Sequence, residues 1–88
     1  MKHVVCAVRD SAMGAYMRPF FVPSTGMAVR SFSDEVNRKG EDNAIASHPE
    51  DYEIWHVADF DDVSGAFVSP DVGCVRLARA KDLVKEAL

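Results

Sequence analysis

Apolar positions along this chain follow two different periods, and the changes between them mark its elements. Residues 3–8, His-Val-Val-Cys-Ala-Val, are small or β-branched without alternation and end at Arg9-Asp10-Ser11. Such a run predicts a strand covered on both faces, hence a central one. Residues 10–19 hold Gly14 and Pro19 and no sustained period, so they are expected to form a loop whose Tyr16 and Met17 fold back. Phe20-Phe21-Val22 stands between Pro19 and Pro23. Proline cannot donate to a ladder, so this stretch predicts a short edge strand. From Ser24 onward the period becomes helical: Met27, Ala28, Val29, Phe32 and Val36 recur at three- and four-residue spacing. Ser24 is the natural N-cap, and the helix is expected to run to about Lys39. Asp34 and Arg38 pair across its outer face, and Arg38-Lys39-Gly40 gives a basic last turn with a glycine stop.

Residues 40–51 are polar, contain Pro49 and predict a connecting loop. Tyr52 to Phe60 then alternates. Tyr52, Ile54, His56, Ala58 and Phe60 are expected on one face, with Glu53, Trp55, Val57 and Asp59 on the other. Asp61-Asp62-Val63-Ser64-Gly65 predicts a hairpin loop, and Ala66-Phe67-Val68 the returning strand. Between Val75 and Leu88 the stripe Leu77, Ala80, Val84 and Leu88 predicts an amphipathic helix. The expected fold is α+β: a mostly antiparallel sheet of 3–4 strands, with a central helix and a C-terminal helix packed on it. Residues 1–70 form the expected domain and residues 71–88 a helical extension. Val4, Val5, Cys6, Val8, Phe32, Val36, Ile54 and Phe67 are the expected core.

Charge is sorted into blocks. Residues 1–39 have a balance of +3, residues 40–71 carry nine carboxylates and no Lys or Arg, and residues 72–88 have a balance of +2. The total of −4 conceals this polarity: the folded chain is expected to have one acidic region and one basic one, and the basic one can meet an anion. With 48% apolar and 27% charged residues the chain reads as globular rather than disordered. A chain of 88 residues has a limited core, so homo-oligomerisation is an expected source of further stability, through a sheet edge or the C-terminal stripe. Cys6 and Cys74 are too few and too far apart for a disulfide framework and read as thiols in a reducing cytoplasm. No apolar run approaches a membrane span, and the apolar stretch after Met1 is too short for a signal peptide.

Neither metal nor enzyme chemistry has a frame here. His3, His48 and His56 lack the spacing of a zinc site, and Asp59-Asp61-Asp62 lacks the remaining ligands of a calcium loop. Turn chemistry accounts for aspartate at a hairpin. No nucleophile lies in a G-x-S-x-G frame and no glycine-rich loop cradles phosphate, so a non-enzymatic, cofactor-free protein is expected. Single-strand nucleic-acid binders join cations to aromatic platforms. Arg9, Arg18, Arg30, Arg38 and Lys39 share the first half with Tyr16, Phe20, Phe21 and Phe32. The negative total charge opposes that reading, and composition alone favours a protein–protein interaction module.

An ordered set of short blocks spans roughly residues 4–68. Val8-Arg9-Asp10-Ser11 and Arg18-Pro19-Phe20-Phe21 come first, then Ala28-Val29-Arg30-Ser31-Phe32 within the stretch to Asn37. His48-Pro49-Glu50-Asp51-Tyr52 and Phe60-Asp61-Asp62-Val63-Ser64-Gly65-Ala66-Phe67 follow. In this order and spacing the chain resembles the small nonstructural protein of gokushovirus-type microviruses, phages with single-stranded DNA genomes. The residues after Pro70 take no part in that likeness. The resemblance implies a non-enzymatic protein of the host bacterial cytoplasm that binds or packages single-stranded DNA. If DNA is bound, the cationic first half makes Arg9, Arg18 and Arg30 the expected phosphate contacts, with Arg38 and Lys39 at the periphery. The alternative is an oligomeric assembly or host-interaction factor with phage or host proteins as partners and no DNA contact.

Overall fold

The computed structural model describes residues 1–85. Their centre is a pair of long antiparallel strands, β1 (Lys2–Asp10) and β4 (Tyr52–Asp61). Both flanks are divided. β2 (Ala15–Tyr16) and β3 (Phe20–Val22) pair with the outer edge of β1, while β5 (Ala66–Val68) and β6 (Val75–Arg79) pair with the outer edge of β4. The sheet therefore has six strands rather than three or four. Proline divides each flank: Pro19 lies between β2 and β3, and Pro70 between β5 and β6. Gly65, at φ +75°, supplies the left-handed residue of the β4–β5 hairpin.

Helix α1 (Thr25–Val36) crosses one face of the sheet. The Ser24 hydroxyl accepts from the Met27 N–H at 3.2 Å, the expected N-cap. The helix ends three residues before Lys39 because Asn37 caps it. The Asn37 side-chain amide donates to the Ser33 and Leu83 carbonyls at 2.7 and 3.0 Å, and its Oδ1 accepts from the Lys85 N–H at 2.8 Å. Arg38 leaves the helix and pairs with Glu35 at 2.9 Å and Asp42 at 3.7 Å, not with Asp34. The expected loop at 40–51 contains a short helix α2 (Ala44–Ser47) and a 3-10 turn at Pro49–Asp51. Buried Asn43 holds this segment to α1, donating to the Glu35 and Arg38 carbonyls.

The core lies between α1 and the sheet. Ala28, Phe32 and Val36 meet Cys6 and Val8 of β1, Ile54 of β4 and Ala80, with Val4 partly buried at the margin. Val5 is buried too, but on the opposite face. Phe67 is not a core residue. It is 62% exposed, because it pairs with Phe60 on the face away from the helices.

The expected C-terminal helix is corrected. Val75–Arg79 is strand β6, and Ala80–Asp82 is a 3-10 turn; Leu88 lies outside the described residues. The five-residue run Val-Arg-Leu-Ala-Arg mixes apolar and basic side chains at spacings that fit either period. The free edge of β4 supplied a ladder partner, and tertiary context overrode helical propensity. Ala80 is wholly buried and Leu77 and Leu83 pack against the core, so part of the stripe expected to mediate self-association is used inside the fold, while Val84 stays exposed.

Two β-bulges decide which side chains share a face. The β1–β4 register shifts by one between Val5–Ala58 and Cys6–His56, leaving Val57 as an extra residue. The β4–β6 register shifts between Ile54–Ala78 and Trp55–Arg76, leaving Leu77 extra. Strict alternation in β4 therefore fails after His56. Asp59 joins the helix-side face and Ala58 and Phe60 join Trp55 on the other, contrary to the expected split.

Candidate nucleic-acid interface

All the helices lie on the Cys6–Val8–Ile54 side, so the opposite face of the sheet is open. Directly paired residues in antiparallel strands share a face, and the register assembles the open one from every strand. Val5 and Ala7 form its floor on β1. Their exposures of 4% and 2% arise because the larger side chains around them stand above. The described residues enclose no pocket.

One end of the face holds Tyr16 and Trp55, edge to face with ring centroids 6.0 Å apart. The Arg9 guanidinium lies 5.9 Å from the Tyr16 centroid, a cation–π contact. Arg76 and Arg79 of β6 complete this end, opposite Trp55 and Glu53. They are three residues apart, and strict alternation would place them on opposite faces; the Leu77 bulge brings them together. Glu53 accepts from the Trp55 indole N–H at 3.1 Å and from Arg76 at 3.3 Å. Among the described residues Arg9 and Arg79 have no ion-pair partner.

At the other end Phe21, Phe60 and Phe67 cluster. Their centroids are 4.9 Å apart for Phe60–Phe67, 5.9 Å for Phe21–Phe60 and 6.2 Å for Phe21–Phe67. Phe21 is 59% exposed, and exposed aromatic rings gathered on one surface are costly to leave in water. His3 borders the cluster, 6.3 Å from Phe60, and its Nε2 meets Asp62 at 2.8 Å. The hairpin just beyond is acidic. The Asp61 carboxylate accepts from the Val63 N–H at 2.9 Å, and this bond holds its pKa below the usual carboxylate value.

The five cations singled out in the sequence are dispersed. Arg9 is on the open face beside Tyr16. Arg18 is exposed between β2 and β3 at the sheet edge. Arg30 is exposed on α1, in the helical layer on the other side of the sheet; Arg38 and Lys39 follow that helix, with Arg38 paired to Glu35. Tyr16 and Phe21 are among the aromatic residues that the sequence sets beside the first-half cations, whereas Trp55, Phe60 and Phe67, with Arg76 and Arg79, escaped sequence reasoning. Strict alternation separates Trp55 from Phe60, and helical spacing at 75–88 hides the two arginines. The presence of Trp55 in a strand was the available clue.

The remaining chemistry-bearing side chains have local structural roles. His56 Nε2 meets Asp59 at 2.8 Å on the helix side of the sheet. Burial pushes the Cys6 thiol up to about 11, with the Asp59 charge adding to it. His48, Glu50 and Asp51 place ligand atoms within 4.8 Å of one another, but at a largely exposed turn where the acids belong to a 3-10 start. No described helix is long and apolar enough to cross a membrane.

No curated protein and no solved structure matches the chain. A family model does, over residues 3–83, taking in both central strands, all four flanking strands and α1. That span covers most of the chain, including the β6 strand that completes the arginine-rich end of the open face, and on it the chain belongs to the phage ORF5 protein family.

Proposed function

We propose that this phage protein binds single-stranded DNA on the open face of its sheet, without sequence preference and without catalysis. The observation that carries the reading is the joint placement of aromatic rings and arginines on one uncovered face. Every base has a π-face, so ring platforms accept any sequence, while guanidinium groups hold phosphates. The net charge of −4 is less of an obstacle once charges are located. On the register of β4, Glu53 is the carboxylate that faces Arg9, Arg76 and Arg79 at the Trp55 end, whereas Glu35 and Asp42 pair with Arg38 and Asp59 meets His56 outside this face. The resemblance to microvirus nonstructural proteins supports a role in genome replication or packaging in the host cytoplasm.

Trp55 is the only tryptophan and reports on this surface directly. A salt-titrated fluorescence experiment with single- and double-stranded oligonucleotides tests the reading. Single strands should quench Trp55, duplexes should bind more weakly, and log K should fall with log salt at a slope of about −2 for three phosphate contacts. Arg9→Glu and Arg79→Glu should each weaken all sequences alike, while Arg30→Glu on the helical layer should not. Absence of binding at low ionic strength would overturn the proposal. The exposed Phe21–Phe60–Phe67 cluster favours the second reading, a protein-interaction factor, and capture of a phage or host protein that Phe67→Ala abolishes would then take precedence.

A further inference from the structure

We infer that the open face is a two-station site, in which one DNA strand stacks at the Tyr16–Trp55 pair and again at the Phe21–Phe60–Phe67 cluster. The inference rests on the single-strand reading and adds its length and layout. The register fixes the spacing. Tyr16 is opposite Arg9 and Phe21 opposite Val5; Trp55 is opposite Ala7 and Phe60 opposite His3. Both displacements are four residues along β1, or about 13 Å at the rise of an antiparallel strand. A stacked nucleotide rises ~3.4 Å and an extended one more, so the gap takes about two to four steps and the smallest complete site about four nucleotides.

The residues between the stations suit a strand that crosses without stacking. Val5, Ala7 and Ala58 present no ring and leave a shallow floor. The stations also differ in charge. Arg9, Arg76 and Arg79 all belong to the Trp55 end, while the Phe60 end lies beside the Asp61–Asp62 hairpin. Phosphate contacts are therefore made at one station, and the other adds affinity through stacking.

A length series of oligothymidylates, read by Trp55 quenching, tests this. A dinucleotide should bind and quench, a tetranucleotide should bind about 10-fold tighter, and longer strands should gain little beyond the number of registers they offer. Phe67→Ala removes an exposed ring and should lower tetranucleotide affinity about 10-fold while leaving dinucleotide binding unchanged. Phe21→Ala, equally exposed, should repeat the result, and circular dichroism melting checks that both variants stay folded. Equal affinity for the two lengths, or a Phe67→Ala loss that is the same for both, would overturn the two-station layout while leaving single-strand binding intact. No quenching at any length would overturn the underlying reading as well. A concentration-dependent dimer that excludes the oligonucleotide and disappears in Phe67→Ala would assign the face to a second copy and overturn both.

Discussion

Single side chains decide stability here because the core is small. Phe32 is 4% exposed and joins α1 to both central strands through Cys6, Val8 and Ile54. Phe32→Ala should cost about 3–5 kcal/mol, a large share of a small domain's total stability. Urea unfolding measures it, and an unchanged midpoint would show that the ring bears little of the packing. Asp61 gives the clearest pH dependence. Its folded pKa is lowered, chiefly by the Val63 N–H. The stabilisation is therefore complete above the unfolded carboxylate value, near pH 4, and is lost as pH falls through the lower folded value. Melting curves recorded into the acid region should show Asp61→Asn with a flatter decline than the parent chain. Burial raises the Cys6 thiol and Cys74 is exposed, so a thiol reagent on the folded chain should modify Cys74 and spare Cys6.

Among elements, the bulges carry the functional consequence. If Val57 were paired in strict alternation instead of bulged, Asp59 would exchange faces with Ala58 and Phe60, placing a carboxylate on the open face and removing Phe60 from the aromatic cluster. Deleting Val57 brings Ala58 directly after His56 in regular register with Val5 and Cys6, so Ala58, Asp59 and Phe60 should keep their faces and the Phe60 station should survive. A folded Val57-deletion variant that lost tetranucleotide affinity would show that Phe60 is not positioned by this register. Strand β6 is the other decisive element. It brings Arg76 and Arg79 to the Trp55 end, and the turn after it places Ala80 in the core. Residues 75–80 thus serve the sheet and the candidate interface together, not a separate extension.

For the molecule as a whole, layering explains the division of labour. Helices cover one face and give the chain its core, and the other face keeps its aromatic residues in water. In the C-terminal stripe Ala80 is buried in the core and Leu77 packs partly against it, which leaves less of the stripe for self-association. The flanking strands β2, β3 and β5 have two, three and three residues, so edge pairing would form few ladder bonds. Sedimentation of the DNA-free chain at micromolar concentration should accordingly give a monomer mass. A dimer insensitive to Phe67→Ala would require an interface outside the open face.

By itself the sequence determined the local elements with strong patterns: the buried strand at 3–8, the Ser24-capped helix, the proline-bounded edge strand and the Asp61–Gly65 hairpin. Each is fixed by short-range chemistry, namely β-branched runs, capping and turn residues. It also determined most of the core, because apolar residues at helical or strand spacing have one way to be covered. Tertiary structure alone decided β6, since a five-residue run fits either period until a free strand edge is available. It alone decided the bulges, because register depends on the partner strand and one extra residue reverses every face beyond it. The candidate interface depends on both. Trp55 and Phe60, or Arg76 and Arg79, stand together only when two distant registers slip by one, and no spacing along the chain encodes that.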